Sequence, residues 1–155
     1  MIDVNGFKLV NDRLGHSVGD RVLQRVAEAL NTIVRQSDVL ARIGGDEFII
    51  ALSETGLADA ERVADKLRTL RITVVEGVAR DPAVVTLSVG IGGREPGQET
   101  ADAILEAADR SLYQFKRAHA RGTPEPREPL TKMVKSEQIS WHLTAAEEAT
   151  SPPTG

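Results

Sequence analysis

Residues 39–52 read VLARIGGDEFIIAL, and this stretch decides the fold. Two short apolar runs, residues 39–43 and 48–52, flank a centre of two glycines and two acidic residues. Runs of this length and composition are typical of β-strands, and glycine supplies the positive φ that a tight turn between them needs. The stretch therefore predicts a β-hairpin with Asp46 and Glu47 at its tip.

Helices and further strands are predicted on both sides of this hairpin. Apolar residues recur at helical spacing in three segments, of which the first is opened by Ser17 or Asp20 and the last is capped by Thr100. The helices are predicted at about residues 17–34, 57–70 and 100–116, with a brief helix through Leu9 and Val10; the other strands end at Asp3 or cover residues 72–75 and 84–91. This order of elements predicts a sheet with helices packed on it, which is an α+β or mixed α/β fold.

The composition limits the classes of function. The chain has 155 residues, of which 41% are apolar and 27% charged, and this suits a single domain with its own core. Cysteine is absent, which excludes disulfides and thiolate metal sites and leads us to expect a cytoplasmic protein. No apolar run is long enough to span a membrane. A net charge of −4 argues against nucleic acid as a partner, so any bound phosphate must be held locally.

A domain boundary is predicted near residue 122. Most of the prolines follow Gly122, and the hydrophobic periodicity of the preceding segments is lost there. We therefore predict one domain over residues 1–122 and a Pro-rich, poorly ordered tail over residues 123–155. A short helix at residues 134–149 is possible within that tail.

Acidic residues at two predicted turns indicate a metal site. If the hairpin lies beside the run that ends at Asp3, Asp3 and Asp46 can share a hard cation such as Mg²⁺ or Mn²⁺. Such an ion keeps positions for water and phosphate, and phosphoryl transfer is the chemistry that it serves. From spacing alone, a solvated acidic turn at Asp46 and Glu47 is equally compatible. A purely structural turn at Gly6 is the commoner reading of the segment after Asp3.

Residues 44–48 spell the motif that names the GGDEF family of diguanylate cyclases, and the chain resembles this family over residues 1 to about 117. A chance match of five specified residues is expected in about one chain in several thousand. Other residues resemble the family's first motif, its later strand and its last helix at the expected spacing: Asp3, Phe7, Lys8, Asn11, Asp12, Gly15, His16, Gly19 and Asp20; then residues 88–91; then Tyr113 and Lys116.

The resemblance implies a central sheet like that of nucleotide-cyclase and polymerase palm domains. It also implies condensation of two GTP molecules into cyclic di-GMP, with release of pyrophosphate. Asp3, the main chain at Val4 and Asp46 would hold Mg²⁺ or Mn²⁺, and Asp46 and Glu47 would be catalytic. Substrate-binding roles are implied for seven residues, namely Phe7, Lys8, Asn11, Asp20, Gly44, Gly45 and Lys116.

Guanine recognition is the part of the resemblance that elementary chemistry supports. Asn11 and Asp20 match the family's guanine readers, and a carboxylate can accept hydrogen bonds from both the N1–H and the amino group of guanine. Adenine lacks this pair of donors, so a site built in this way discriminates between the two bases.

The resemblance also implies regulation and dimerisation. Each domain would bind one GTP, so a homodimer is needed to bring two substrates together. Arg35, Asp38 and the auxiliary Arg68 resemble the product-inhibition site, where guanidinium groups hold phosphate. The family's first helix and part of its first strand precede the matching residues, so we expect an N-terminally truncated domain. A catalytically inactive module that binds cyclic di-GMP or GTP is the alternative.

Overall fold

A computed structural model describes residues 1–74, 82–94 and 100–119, and it confirms the α+β class. In this part of the chain, helices pack on one five-stranded antiparallel sheet. The strands are β1 (Ile2–Asn5), β2 (Val39–Gly44), β3 (Glu47–Ala51), β4 (Ile72–Val74) and β5 (Ala83–Val89); the helices are α1 (Phe7–Leu14), α2 (His16–Asn31), α3 (Leu57–Thr69) and α4 (Ala101–His119).

Strand β1 lies at the centre of the sheet, whose order is β2-β3-β1-β5-β4. On one side it pairs with β3, where Ile2 lies opposite Phe48. On the other side it pairs with β5 along its whole length, from Ile2 opposite Val89 to Asn5 opposite Thr86. The predicted hairpin is β2 and β3, and it lies directly beside the strand that carries Asp3.

The core forms between α2 and the sheet. Val22, Val26 and Leu30 recur every four residues along α2 and are fully buried, as are Ile2 and Leu87 in the sheet. Burying a side chain of this size contributes roughly 1.5–3 kcal/mol, so this one face of α2 accounts for much of the stability that the sheet gains from its helices.

The predicted start of α2 at Ser17 or Asp20 was wrong. Helix α2 begins at His16, directly after Gly15, whose φ of 84° also ends α1. A residue with a side chain is strained at such a φ, so this glycine is where the chain can turn from one helix into the next. At the other end, Thr32 caps α2, and Ile33 and Val34 lie beyond the helix.

The predictions for the other helices were close. Helix α3 ends at Thr69, one residue before the predicted end. Helix α4 begins at Ala101, and the Thr100 hydroxyl accepts a 3.2 Å hydrogen bond from Ala103 N, so Thr100 is the predicted cap. Val75, the tail and its possible helix lie outside the described residues. Within the described ranges, no helix is both long and apolar enough to cross a membrane.

Two glycines after β5 allow α4 to pack directly on the main chain. A Cβ atom on Gly90 would lie 2.1 Å from Leu112 N and 2.3 Å from Ala108 O. A Cβ atom on Gly92 would lie 2.1 Å from Ile104 O. Because these are main-chain atoms of α4, no side-chain rotation could relieve the contacts, and the helix itself would have to move.

Strand pairing extends beyond β1 at the same place. Gly90 N donates to Met1 O (2.9 Å), and the amino group of Met1 donates to Gly90 O (2.8 Å). Burial lowers the pKa of this amino group to about 6, although the Coulomb effect of Asp109 acts in the opposite direction. The hydrogen bonding between β1 and β5 therefore continues as far as Met1 and Gly90, the residues that flank the two strands.

We expect Gly90→Ala to lower the free energy of unfolding by about 3 kcal/mol, since the added methyl group displaces the α4 main chain. Chemical denaturation measures the change. Gly56→Ala is the matched control, because a Cβ atom there meets nothing within 4 Å and its cost should stay within about 1 kcal/mol. Equal effects of the two substitutions would contradict the close packing of α4.

Candidate active site

Asp3 is a buried carboxylate at the centre of the sheet. Only 5% of the residue is exposed, and the ammonium group of Lys116 on α4 forms an ion pair with it. A buried charge is costly unless another charge or hydrogen bonds compensate for it, so the position of α4 stabilises the buried Asp3 carboxylate. The Lys116 side chain is 21% exposed, so solvent reaches the edge of this pair.

The hairpin tip lies against β1 beside Asp3. Asp3 is opposite Glu47 in the β1–β3 pairing, and Val4 N donates a 3.1 Å hydrogen bond to Asp46 O. The structure therefore brings together the two segments that carry these residues, β1 with Asp3 and Val4 and the hairpin tip with its two acids, as the sequence predicted.

The physical reason given for this turn was wrong. Neither Gly44 nor Gly45 has a positive φ; of the described glycines, Gly6 and Gly15 do. Instead, the guanidinium group of Arg42 donates to Gly44 O (3.3 Å) and to Gly45 O (2.8 Å). Arg42 thus holds the carbonyl groups of the tip, a role that the sequence pattern did not indicate.

The chemistry of these groups fits a hard divalent cation. Carboxylate and carbonyl oxygens without histidine are the ligands that such an ion prefers, and it leaves sites for water and phosphate. Among the described residues, no group of three or more His, Cys, Asp or Glu side chains could hold a metal ion. A metal ion bound here would therefore take at most two side chains of these types from the described residues, with main-chain and external oxygens as its other ligands.

Asn11 and Asp20 lie on two helices that pack closely. A Cβ atom on Gly19, the residue before Asp20, would lie 1.9 Å from Asn11 Oδ1 and 3.3 Å from Phe7 Cε2. Asn11 Oδ1 is buried and has no hydrogen-bond partner, whereas Asp20 is exposed. Asn11 and Phe7 therefore lie against Gly19 at the α1–α2 contact, and Asp20 follows Gly19 on α2.

The remaining predicted substrate contacts differ in their surroundings. Lys8 is exposed in the first turn of α1, which begins directly after Gly6 in the left-handed conformation. Gly44 and Gly45 belong to the hairpin tip. Lys8 thus stands at the β1–α1 turn, and Lys116 reaches Asp3 in β1 from α4.

The end of β1 also contains a polar network that the sequence did not reveal. Ser88 Oγ donates to Asn5 Oδ1 (2.7 Å), and Asn5 Nδ2 donates to Thr86 Oγ1 (3.0 Å). These bonds fix the last residue of β1 to β5 immediately before the turn into α1. The pairing of β1 with β5 brings the three residues together. Because they are far apart in the sequence, the sequence pattern did not indicate this network.

Arg35 and Asp38 form a loop that is held from within. Asp38 Oδ2 accepts a hydrogen bond from Arg35 N (2.8 Å), and Asp38 Oδ1 accepts one from Ser53 N (3.1 Å). Ser53 Oγ also donates to Ser37 O (2.6 Å). The Asp38 carboxylate therefore joins the α2–β2 loop to the segment after β3, and Arg35 is exposed.

Arg68 has other partners and makes no hydrogen bond or ion pair with Arg35 or Asp38. One guanidinium nitrogen lies 2.8 Å from both Glu61 and Asp65, and the other donates to Val89 O (2.9 Å). The guanidinium carbon lies 4.6 Å from the centre of the Phe115 ring. Arg68 thus links α3 to the end of β5 and to α4.

A groove of about 740 Å³ lies between α2 and β4, away from these residues. Three arginines (Arg21, Arg25 and Arg71) line it, together with apolar residues of the edge strand. None of the predicted site residues lines this groove. The candidate active site is instead formed at the end of β1, at the hairpin tip and at the α1–α2 contact.

Known proteins are similar to this chain in sequence and in fold. A family profile described as "Diguanylate cyclase, GGDEF domain" matches residues 1–122. The chain is 38% identical over 120 residues to the response regulator PleD of Caulobacter vibrioides, a match that covers 75% of this chain. It covers 26% of PleD, so the chain spans about a quarter of the length of this curated relative.

Solved structures agree with the sequence match. The GGDEF domain of YfiN from Pseudomonas aeruginosa is similar with a TM-score of 0.66 and 34% identity, over 81% of this chain and 80% of that one. The GGDEF domain of DgcB from Caulobacter crescentus, crystallised in complex with c-di-GMP, is similar with a TM-score of 0.61 and 27% identity. That match covers 79% of this chain and 72% of the DgcB chain.

We expect Arg68→Ala to lower the free energy of unfolding by about 2 kcal/mol. The carboxylates that Arg68 pairs with are more than half exposed and can be solvated, so most of the loss comes from the Val89 hydrogen bond and the Phe115 contact. Urea denaturation measures this change in the free energy of unfolding. Arg62→Ala on the same helix, where the ion pair with Asp59 is mostly exposed, should cost about 0.5 kcal/mol or less. Similar losses for the two variants would contradict the linking role of Arg68.

Proposed function

Because this chain belongs to the GGDEF family of diguanylate cyclase domains, we propose that it condenses two GTP molecules into cyclic di-GMP. In each of the two steps, a 3′-oxygen forms a bond to an α-phosphorus, the bond to the β-phosphate breaks, pyrophosphate leaves and the hydroxyl proton is released. The observation that carries the proposal is the buried Asp3 beside the Asp46–Glu47 tip, with Lys116 of α4 paired to it.

We propose Mg²⁺, or Mn²⁺ in its place, as the cofactor. Asp3, Asp46 and the main chain at Val4 would hold it, with Glu47 at the same end of the hairpin. When bound, the ion would neutralise phosphate charge and polarise the phosphorus centre under attack. The Lys116 ammonium group balances the buried Asp3 carboxylate, and a cation bound to Asp3 would take over that role and leave Lys116 to the phosphates.

The chain's own residues would hold and orient the nucleotide. Asp20 accepts hydrogen bonds from the N1–H and amino groups of guanine, and Asn11 adds a second polar contact to the base. Lys8 and Lys116 attract the phosphates, one from the β1–α1 turn and one from α4. Phe7, Gly44 and Gly45 complete the binding surface. Lys8 and Asn11 lie about one turn apart on α1, so this helix would contribute to both phosphate and base binding.

Catalysis would need two copies of the domain. Each copy carries one set of these residues, so a 3′-hydroxyl in one site must reach the α-phosphorus held in the other. Holding two reactants in this geometry supplies several kcal/mol of the barrier reduction, and phosphoryl transfer needs little further help from side chains. We therefore propose a homodimer as the active form, built from a domain over residues 1–122.

The Arg35–Asp38 loop supports product binding. Its backbone is fixed by the two hydrogen bonds to Asp38, so the exposed Arg35 stands on a preformed loop. A guanidinium group in this setting can bind phosphate through two parallel hydrogen bonds. We propose cyclic di-GMP as the ligand and product inhibition as the effect. A domain that binds cyclic di-GMP at this loop without turnover is the second candidate function.

We expect protein incubated with GTP and Mg²⁺ to form cyclic di-GMP, and Asp46→Ala to reduce the rate at least about 100-fold, because one of the two carboxylates that hold the ion is lost. Separation of the nucleotides by liquid chromatography measures both rates. Asp59→Ala, which removes an exposed carboxylate from α3, should retain the parent rate.

Two outcomes would contradict cyclase activity. A folded dimer of the parent protein that forms no cyclic di-GMP would remove catalysis, and equal rates for Asp46→Ala and the parent would remove the metal site. Calorimetric titration with cyclic di-GMP then tests the second candidate: binding that Arg35→Ala abolishes would support a binding module.

A further inference from the structure

Gly19 lies inside a helix where its own backbone does not require glycine. It is the fourth residue of α2 and is buried, and its φ is not in the left-handed region. Glycine in a helix interior is less favourable than alanine, because it loses more conformational freedom on folding. Another constraint must therefore account for a glycine at this position.

The constraint is the space taken by side chains from α1. A Cβ atom on Gly19 would lie 1.9 Å from Asn11 Oδ1 and 3.0 Å from Asn11 Cγ. It would also lie 3.3 Å from Phe7 Cε2. The Asn11 amide therefore rests against the bare main chain of α2, and any larger residue at position 19 would occupy the same space.

Packing, and not a hydrogen bond, holds the oxygen end of the Asn11 amide in place. Asn11 Oδ1 is buried but has no hydrogen-bond partner, so no polar contact fixes that end of the side chain. An unsatisfied buried acceptor is unfavourable, and the packing of α1 on α2 has to offset its cost. The orientation of the amide thus depends on the absence of a side chain at Gly19.

We propose that Gly19 is a positioning residue that sets the Asn11 amide beside Asp20 and so contributes to the selection of guanine over adenine. The inference rests on the proposed function, in which Asn11 and Asp20 contact the base. Gly19 does not touch the nucleotide itself. It acts through Asn11, because the absence of a side chain at position 19 leaves room for the Asn11 amide.

A methyl group at position 19 should change binding without damaging the fold. The atom it would meet at 1.9 Å is the end of a side chain that can rotate, in contrast to the main-chain atoms that face Gly90. Alanine also raises the helix propensity of α2. Gly19→Ala should therefore keep or raise stability while it moves Asn11 out of position, a combination that a merely structural glycine would not show.

The test is calorimetric titration of the full chain with Mg²⁺ and the α,β-methylene analogue of GTP, repeated with the corresponding ATP analogue. For Gly19→Ala we expect the dissociation constant of the GTP analogue to rise about tenfold, as for the loss of one base-specific contact. The constant for the ATP analogue should change less than about twofold, and the melting temperature should not fall. Gly56→Ala, with open space around its Cβ position, should change neither affinity.

A double-mutant cycle with Asn11→Ala isolates the route of the effect. If Gly19 acts through Asn11, then adding Gly19→Ala to Asn11→Ala should change the affinity for the GTP analogue by less than about twofold. Independent, multiplicative losses would overturn the inference, because they would show that Gly19 acts by another route.

The remaining outcomes separate this inference from the proposed function. If the parent binds the GTP analogue and Gly19→Ala binds it equally well, the positioning role is overturned while the proposed function stands. A large fall in melting temperature with equal losses for both nucleotides would assign Gly19 a structural role and also overturn it. If the parent binds no GTP analogue, the proposed function fails and the inference fails with it.

Discussion

The ion pair between Asp3 and Lys116 is the interaction on which the rest of this structure depends. A carboxylate buried in the middle of a sheet is stable only beside a compensating charge, and that charge is carried by α4. Helix α4 can come so near because Gly90 and Gly92 leave its main chain room against the end of β5. The same strand, β1, pairs with the hairpin on its other side. The buried Asp3 therefore lies between the acidic hairpin tip and Lys116 of α4.

Glycines serve two different purposes in this domain. Gly6 and Gly15 have positive φ and turn the chain, from β1 into α1 and from α1 into α2. Gly19 and Gly90 have no such need and instead allow another element to approach, a side chain in one case and a helix backbone in the other. Substitutions at the second kind are expected to differ, because a side chain can rotate away and a helix backbone cannot.

The sequence was informative wherever local chemistry determines structure. The apolar runs around residues 44–47 predicted the hairpin, and the spacing along α2 predicted its buried face. The matched motif placed Asp3 beside Asp46. Two sets of contacts could not be predicted from the sequence: Arg42 holds the hairpin tip by hydrogen bonds to carbonyl groups, and Arg68 pairs with Glu61 and Asp65 and donates to Val89 O. A glycine within a helical pattern was visible at position 19, but only the structure shows which side chain it admits.

The account is tested most directly by locating a divalent ion in crystals grown with Mn²⁺ and the α,β-methylene analogue of GTP. Anomalous diffraction should show Mn²⁺ within about 2.5 Å of a carboxylate oxygen of both Asp3 and Asp46, with phosphate oxygens completing its shell. An ion bound to neither carboxylate, or nucleotide phosphates held elsewhere while Asp3 stays paired with Lys116, would contradict the central claim.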